Sequence, residues 1–134
     1  MNKVYFISGH LDISQHEFTT HYRPQLNEAV VNNGHFVVGD ARGVDSYAQK
    51  YLMDKGCDVT VYHMFDKPRN NFGGYKTKGG FESDEVRDSA MTCDSDADIL
   101  WLRPADEQQK KLGKKYDPNF VNGTMNNMKR RLNL

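Results

Sequence analysis

The sequence predicts an α/β protein: a single Rossmann-like domain whose mostly parallel sheet is covered by helices on both faces. Two observations predict this fold class. Short apolar runs, typical of buried strands, alternate along the chain with longer segments of helical periodicity. The 134 residues amount to one domain, since domains cluster at about 100–150 residues. Right-handed crossovers between such strands generate a doubly wound sheet.

The first half of the chain is predicted to hold three strands and two helices in alternation. Apolar runs predict strands over 4–7, 36–38 and 59–62. Between them, apolar side chains recur on one face over 18–33 and over 44–55, which predicts two helices. Each of these helices is ended by a glycine, the residue that most often terminates a helix.

The second half is predicted to be less regular. Residues 66–80 contain four glycines and one proline and are predicted to form a loop. A helix over 82–93, a strand over 99–102 and a final helix over 124–132 follow. Residues 103–121 are polar and lysine-rich, and they are interpreted as a basic insert or lid within the single domain 1–134.

Composition excludes several classes of protein. Lys+Arg and Asp+Glu both number 18, so the net charge is zero and the pI about 7.0, without a global attraction to nucleic acid or anionic membrane. The chain lacks the run of about 20 apolar residues that crosses a bilayer. Cys57 and Cys93 have neither metal-ligand spacing nor a disulfide framework. We therefore expect a reduced, cytoplasmic setting, with no metal site and no cofactor.

Ligands of doubly wound folds bind outside the carboxyl ends of the strands. The loops after Ile7, Val38, Tyr62 and Leu102 are therefore expected to converge on one cleft.

The first of these loops begins Ser8-Gly9-His10. Gly9 allows backbone amides to approach an anion, and Ser8 offers a hydroxyl. His10 pairs with phosphate only when it is protonated, at about pH 6.5 or below. A plain tight turn is the alternative interpretation of this segment.

The second loop places two glycines around an arginine, just before a predicted helix. Its candidate ligand contacts are Gly39, Ala41, Arg42, Gly43 and Asp45. Free N–H groups at the helix start, with the guanidinium, favour a phosphate or carboxylate. The alternative is that the second glycine only shapes the turn, that the aspartate only caps the helix, and that the arginine only pairs with a carboxylate.

Two further helix starts are candidates. Asn122, Gly123 and Thr124 open the last helix, where such residues either cap the helix or cradle an anion. Glu82 and Glu85 open the helix before it, as acidic residues do to complement the helix dipole. They are also candidate catalytic carboxylates.

Arg87, one turn into that same helix, is a candidate both for ligand binding and for catalysis, because its side chain is expected to reach the cleft.

Taken in order, these segments resemble the SLOG superfamily, which includes the DNA-processing protein DprA, the LOG enzymes and the small YspA-like proteins. Residues 37–48 are close to the Gly-Gly-Ala-Arg-Gly-Ala-Asp-x-x-Ala signature of the YspA-like group. Residues 4–10 resemble the opening strand and turn, and 79–91 a Gly-x-x-Arg-Asn-x-x-Met segment. Residues 98–102 followed by 122–124 resemble the phosphate loop. The resemblance implies binding of nucleotides or nucleotide-derived ligands.

Three departures from the family pattern carry information. LOG enzymes have catalytic glutamates after the Gly-Thr pair, whereas this chain has Met125, Asn126 and Asn127, and an amide cannot act as an acid or base. His10 stands where the family has arginine. The segment 103–121 is longer than its family counterpart.

The sequence therefore favours a sensor or sequestering protein for a nucleotide or nucleotide-derived ligand. The alternative is a LOG-like N-glycosidic hydrolase or transferase acting on a nucleoside 5′-monophosphate, with Arg87, Glu82 and Glu85 as catalytic candidates. DprA-like binding of single-stranded DNA is less favoured because the net charge is zero. A homodimer or higher homo-oligomer is also expected.

Overall fold

The computed structural model describes residues 2–120 and 122–134, which form an all-parallel five-stranded sheet flanked by helices. The strands are β1 (Val4–Ile7), β2 (His35–Val38), β3 (Val59–Met64), β4 (Lys76–Phe81) and β5 (Ala97–Ile99). The helices are α1 (Gln15–His21), α2 (Arg23–Val31), α3 (Val44–Leu52), α4 (Asp84–Cys93), α5 (Ala105–Leu112) and α6 (Gly123–Leu132), with a 3-10 turn at Gly113–Lys115. The predicted Rossmann-like fold class is confirmed.

The strand order is β4-β3-β2-β1-β5. The chain moves outward from β1 to β4 and then returns to the other side of β1, so the order reverses between β1 and β5. In sheets of this kind, that reversal opens a crevice at the carboxyl ends of the strands.

Side chains of the strands alternate between two cores, one on each face of the sheet. Ile7 and Val38 pack with α1, α2 and α3 on one face, where Tyr22 and Leu26 are fully buried. Phe6, Val37, Tyr62 and Met91 form a smaller core with α4 on the opposite face. Burial on both faces explains why β1, β2 and β3 are short, apolar runs.

The predicted helix over 18–33 is in fact two helices. α1 ends at His21 and α2 begins at Arg23, with a proline in its first turn. Pro24 has no N–H to continue the helical ladder, so a new helix begins there and Tyr22 fills the junction.

The prediction of a loop over 66–80 is wrong for residues 76–80, which belong to β4 and pair with β3 at the edge of the sheet. Pairing with a neighbouring strand overrides the weak strand propensity of glycine, which is tolerated at edges. Gly79 is required there, since a Cβ would collide with the ring of His63.

The strand predicted over 99–102 spans 97–99 instead, and the chain leaves the sheet before Trp101. The segment predicted as a polar insert is largely helical. α5 begins with acidic residues, ends with lysines and stops at Gly113, whose φ of +55° suits glycine. None of the helices in the described part of the chain is long and apolar enough to span a bilayer.

Candidate functional site

The loops that follow the strands touch one another at the carboxyl edge of the sheet. The Val44 N–H donates to the His10 carbonyl at 3.3 Å, joining the loops after β1 and β2. The Arg69 N–H donates to the Asp40 carboxylate at 2.7 Å, joining the loops after β2 and β3. The Arg103 N–H donates to Nε2 of His10 at 3.0 Å, joining the segments after β5 and β1.

Behind the loop after β2 lies an aspartate–arginine cluster made of Asp40, Arg69, Asp84, Arg87 and Asp88. Arg87 and Arg69 both donate to Oδ1 of Asp40, at 2.7 and 2.8 Å. Arg87 also lies 3.0 Å from Asp84, and its Nε and second terminal nitrogen donate to Asp88 at 3.2 and 3.0 Å. Each of the three guanidinium nitrogens of Arg87 therefore already has a carboxylate partner.

The cluster shifts the pKa of its carboxyl groups in opposite directions. Burial opposes ionisation of Asp40, but hydrogen bonds and attraction from Arg69, with Arg87, hold its pKa below the ordinary value. Burial raises the pKa of Asp88, although Arg87 and Asn127 act against that shift. Three carboxylates face two guanidinium groups, so the cluster does not attract a further anion.

Asp45 packs against the cluster, and its pKa is shifted in the opposite direction to that of Asp40. Burial raises the pKa of Asp45 to about 7, although Arg87 and the Ala41 N–H favour the charged form. Its carboxylate accepts from the Ala41 N–H at 3.1 Å, so it bonds the preceding loop. It does not cap α3, which has no side-chain cap.

The two glycines of this loop are required by close packing. A Cβ at Gly39 would lie 2.6 Å from Oδ2 of Asp45 and 3.0 Å from Cζ of Arg87. Gly43 has a φ of +78°, and a Cβ there would lie 2.5 Å from the His10 carbonyl. The turn-shaping interpretation of Gly43 thus describes its geometry, whereas Arg42 is exposed at the surface.

At the end of β1, Ser8 is buried and its hydroxyl has no partner among the described residues. The Tyr22 hydroxyl donates to the Ser8 carbonyl at 2.7 Å and accepts from the Trp101 N–H at 3.0 Å. A Cβ at Gly9 would collide with that hydroxyl. The hydrogen bonds of the Tyr22 hydroxyl therefore connect β1 to the segment after β5, across the point where the strand order reverses.

His10 is buried, and burial followed by the charge of Arg103 lowers its pKa. Its Nε2 accepts a hydrogen bond from the Arg103 N–H, which requires an unprotonated nitrogen. The structure thus favours neutral His10 and disfavours the protonated form that phosphate pairing requires.

Arg103, which the sequence did not single out, is the centre of a second ionic network. Its side chain is 1% exposed and donates twice to Glu17, at 2.8 and 2.9 Å, and to Asp12 and Gln108 at 3.0 and 2.7 Å. The hydrogen bond from Arg103 lowers the pKa of Glu17 to about 2. Lys111 adds a hydrogen bond to the Asp12 carbonyl at 2.6 Å.

A hollow of about 530 Å³ lies between α5, the segment after it and the start of α6. We call it the insert hollow. Its walls include Leu102, Leu112, Tyr116, Phe120, Asn122 and Met125. Asn122 caps α6 by accepting from the Met125 N–H at 2.9 Å, while Gly123 is exposed and Thr124 is buried.

The two catalytic glutamate candidates do not meet the guanidinium of Arg87. Glu82 is exposed, and Glu85 lies 4.0 Å from Arg130. Glu85 instead borders a separate hollow of about 410 Å³ between α4 and α6. Among the described residues, no group of His, Cys, Asp or Glu has an arrangement that holds a metal ion.

The structure thus brings Gly39, Asp45 and Arg87 together in a packed cluster. Asn127, one turn after Thr124, lies against Asp88 and connects α6 to that cluster. The insert hollow lies elsewhere, beside Asn122. Glu17 and Arg103 are 86 residues apart, so no sequence pattern would have revealed their pairing.

Comparison with protein-family models, with curated proteins and with solved structures finds no match to this chain. The resemblance to the SLOG superfamily consequently rests on the sequence motifs.

Proposed function

We propose that the protein binds a nucleotide or a nucleotide-derived metabolite at the carboxyl edge of the sheet and acts as a sensor or sequestering protein. The insert hollow is the observation that carries this proposal. Its lining begins at Leu102, shortly after the carboxyl end of β5, and reaches the first turn of α6. β5 is one of the two strands between which the strand order reverses. The volume of the hollow, about 530 Å³, is within the range of small-molecule sites.

The ligand's phosphate is proposed to lie at the start of α6. The N–H groups of Gly123 and Thr124 belong to the first helical turn, where unpaired donors and the helix dipole favour an anion. Lys115 borders the hollow and contributes a positive charge to it. The likeness of 122–124 to a phosphate loop supports the same placement.

Binding without strong catalysis is favoured by what surrounds that helix start. Asn126 and Asn127 stand where acid or base groups would be needed. Arg87 is held by three carboxylates rather than directed at a ligand. These features favour a site that binds its ligand over a site that cleaves it.

One observation favours N-glycosidic hydrolysis or transfer as a second candidate. Asp45, with a pKa of about 7, holds a proton near neutral pH, as a general acid must. Chromatography for base released from nucleoside 5′-monophosphates tests this candidate. Release that Asp45→Asn abolishes would support it, and absence of release after long incubation would exclude it.

Isothermal titration calorimetry with a panel of mono-, di- and cyclic nucleotides tests the main proposal. We expect at least one nucleotide to bind with a Kd below about 1 mM. Lys115→Gln should weaken that binding about threefold to tenfold at low salt, because one cation is removed from the hollow. Lys114→Gln, one residue away and outside the lining, is the matched control.

Failure of every nucleotide to bind at 1 mM would overturn the proposal. Binding of single-stranded DNA in a gel shift at low salt, without binding of free nucleotides, would favour the DNA-binding alternative instead.

A cytoplasmic location and a homodimer or higher homo-oligomer belong to the same proposal. The reduced state expected of Cys57 and Cys93 suits the cytoplasm, and both are free thiols in the structure. Light scattering at several protein concentrations tests the assembly, and a constant monomer mass would contradict it.

A further inference from the structure

Helix α5 forms one wall of the insert hollow. No residue of α5 is buried, although Ala105, Gln108 and Leu112 fall on the face that lines the hollow. Spacings of three and four residues place these side chains on one stripe of a helix. An amphipathic helix normally buries that stripe against a core, so this one faces a space large enough for a ligand.

Ionic contacts explain why the hollow does not collapse. Lys111, near the end of α5, donates to the Asp12 carbonyl and lies 3.5 Å from Glu17. Arg103, just before α5, is fixed by Glu17 and Asp12 as well. These contacts tie α5 to α1 on the side away from α6, and the hollow is thereby preformed.

The lining combines rings and apolar side chains with amide donors. Oε1 of Gln108 accepts from Arg103 at 2.7 Å, and Oδ1 of Asn122 accepts from the Met125 N–H. With their oxygens engaged, both amides are left to donate through their nitrogens. Tyr116 and Phe120 contribute aromatic rings, on which planar heterocycles stack.

We infer that the insert hollow is a base-binding pocket, and that it prefers bases with an oxo group at purine C6 or pyrimidine C4, as in guanine and uracil, to bases with an amino group at that position, as in adenine and cytosine. The inference rests on the proposed nucleotide-binding function and deepens it by naming the part of the ligand that the insert recognises. An oxo group at that position accepts hydrogen bonds from the amides of Gln108 and Asn122, whereas an amino group there donates and leaves these amides unpaired. The two aromatic rings cover the plane of the base.

Filling the hollow tests its occupancy. Ala105→Phe places a ring inside it from the first residue of α5, and we expect it to weaken GMP binding at least tenfold in calorimetry. Asp106→Phe is the matched control, since Asp106 is the next residue and does not line the hollow. We expect the control to change the Kd less than twofold, with both variants matching the parent in circular dichroism and urea unfolding.

Asn122→Asp tests the proposed preference. Aspartate still accepts from the Met125 N–H and still caps α6, but it replaces an amide donor with a carboxylate acceptor. The added negative charge weakens all nucleotides alike, so the ratio of GMP to AMP affinity is the readout. We expect GMP to bind at least tenfold more tightly than AMP in the parent protein, and the variant to lower that ratio at least fivefold.

The outcomes separate the inference from the function on which it rests. If no nucleotide binds, both the base-pocket inference and the proposed function are overturned. Tight nucleotide binding that Ala105→Phe leaves unchanged overturns the base pocket alone and leaves the proposed function standing. Loss of binding in Ala105→Phe with equal parental affinity for GMP and AMP would refute the oxo preference.

Discussion

Arg87 and Arg103 are both buried beside acidic side chains, yet they build opposite kinds of surroundings. Arg87 is enclosed by Asp40, Asp84 and Asp88, and Gly39 packs against its Cζ. Arg103 is also saturated, by Glu17, Asp12 and Gln108, but Arg103 and Gln108 both line the insert hollow. The first region is filled, whereas the second leaves the insert hollow open beside it.

This difference shows that a glycine-rich motif can serve packing rather than ligand binding. Gly39 allows the Asp45 carboxylate and the guanidinium of Arg87 to approach closely, and Gly43 allows the close approach of the backbone at His10 and Leu11. The lysine-rich insert, which carries no compact motif, borders accessible space because a salt bridge on its far side holds it in position. Four substitutions sharpen the contrast, beginning with the largest expected effect.

Arg87→Met should lower the free energy of unfolding by about 3–5 kcal/mol, because it leaves buried Asp40 and Asp88 short of a partner. Urea denaturation measures the change. Arg42→Met, at an exposed position on the loop that carries Asp40, is the control and should cost less than about 0.5 kcal/mol. A loss below 1 kcal/mol for Arg87→Met would show that the cluster is not structurally essential.

Asp45→Asn should remove a pH dependence of stability. Burial raises the pKa of Asp45 from 3.8 to about 7, so the native state keeps a proton that the unfolded chain releases. Native stability therefore falls as pH rises from about 4 to about 7, by about 2–4 kcal/mol from this group. The asparagine variant should be more stable than the parent at pH 8 and about equal at pH 4.

Chemical unfolding between pH 4 and 8 measures this difference between Asp45→Asn and the parent. Asp40 and Glu17 have lowered pKa values, so their loss of stability falls below this window, as pH drops toward 2. Parallel pH profiles for the two proteins would contradict the assignment to Asp45.

Gly39→Ala should cost about 1–3 kcal/mol, because its Cβ would lie 2.6 Å from the Asp45 carboxylate and force the cluster to shift. Gly123→Ala is the control: a Cβ at that position meets nothing within 4 Å, and its stability should change by less than about 0.5 kcal/mol. Thermal unfolding of both variants and of the parent measures these changes in stability. Equal melting temperatures for Gly39→Ala and the parent would mean that the cluster can shift to accommodate the added Cβ without losing stability.

Lys111→Met has the smallest expected effect on global stability, below about 1 kcal/mol, because its ion pair is partly exposed. Limited proteolysis is the more sensitive measurement, since loss of the tether should expose α5 to cleavage sooner. Lys110→Met, on the same turn but without that tether, should be cleaved at the parental rate. Identical cleavage of both variants would show that Arg103 alone positions the insert.

Local sequence was sufficient for the fold class and for most of the elements. Apolar runs revealed β1, β2 and β3, and apolar periodicity revealed α3, although α3 ends at Leu52 rather than at 55, just before Gly56, as predicted. These features depend on neighbours within a few residues, which the sequence displays directly. β4 was not predicted, because its glycine-containing segment forms a strand only by pairing with β3.

The amino-acid sequence by itself determined the alternation of buried strands and helices, and with it the edge of the sheet at which the loops meet. Tertiary structure alone decided that Arg87 is saturated by carboxylates, that His10 is neutral, and that the open space lies under the insert. The physical reason is that burial and ionic pairing join residues far apart in the chain, such as Glu17 and Arg103, and their energies depend on geometry in three dimensions.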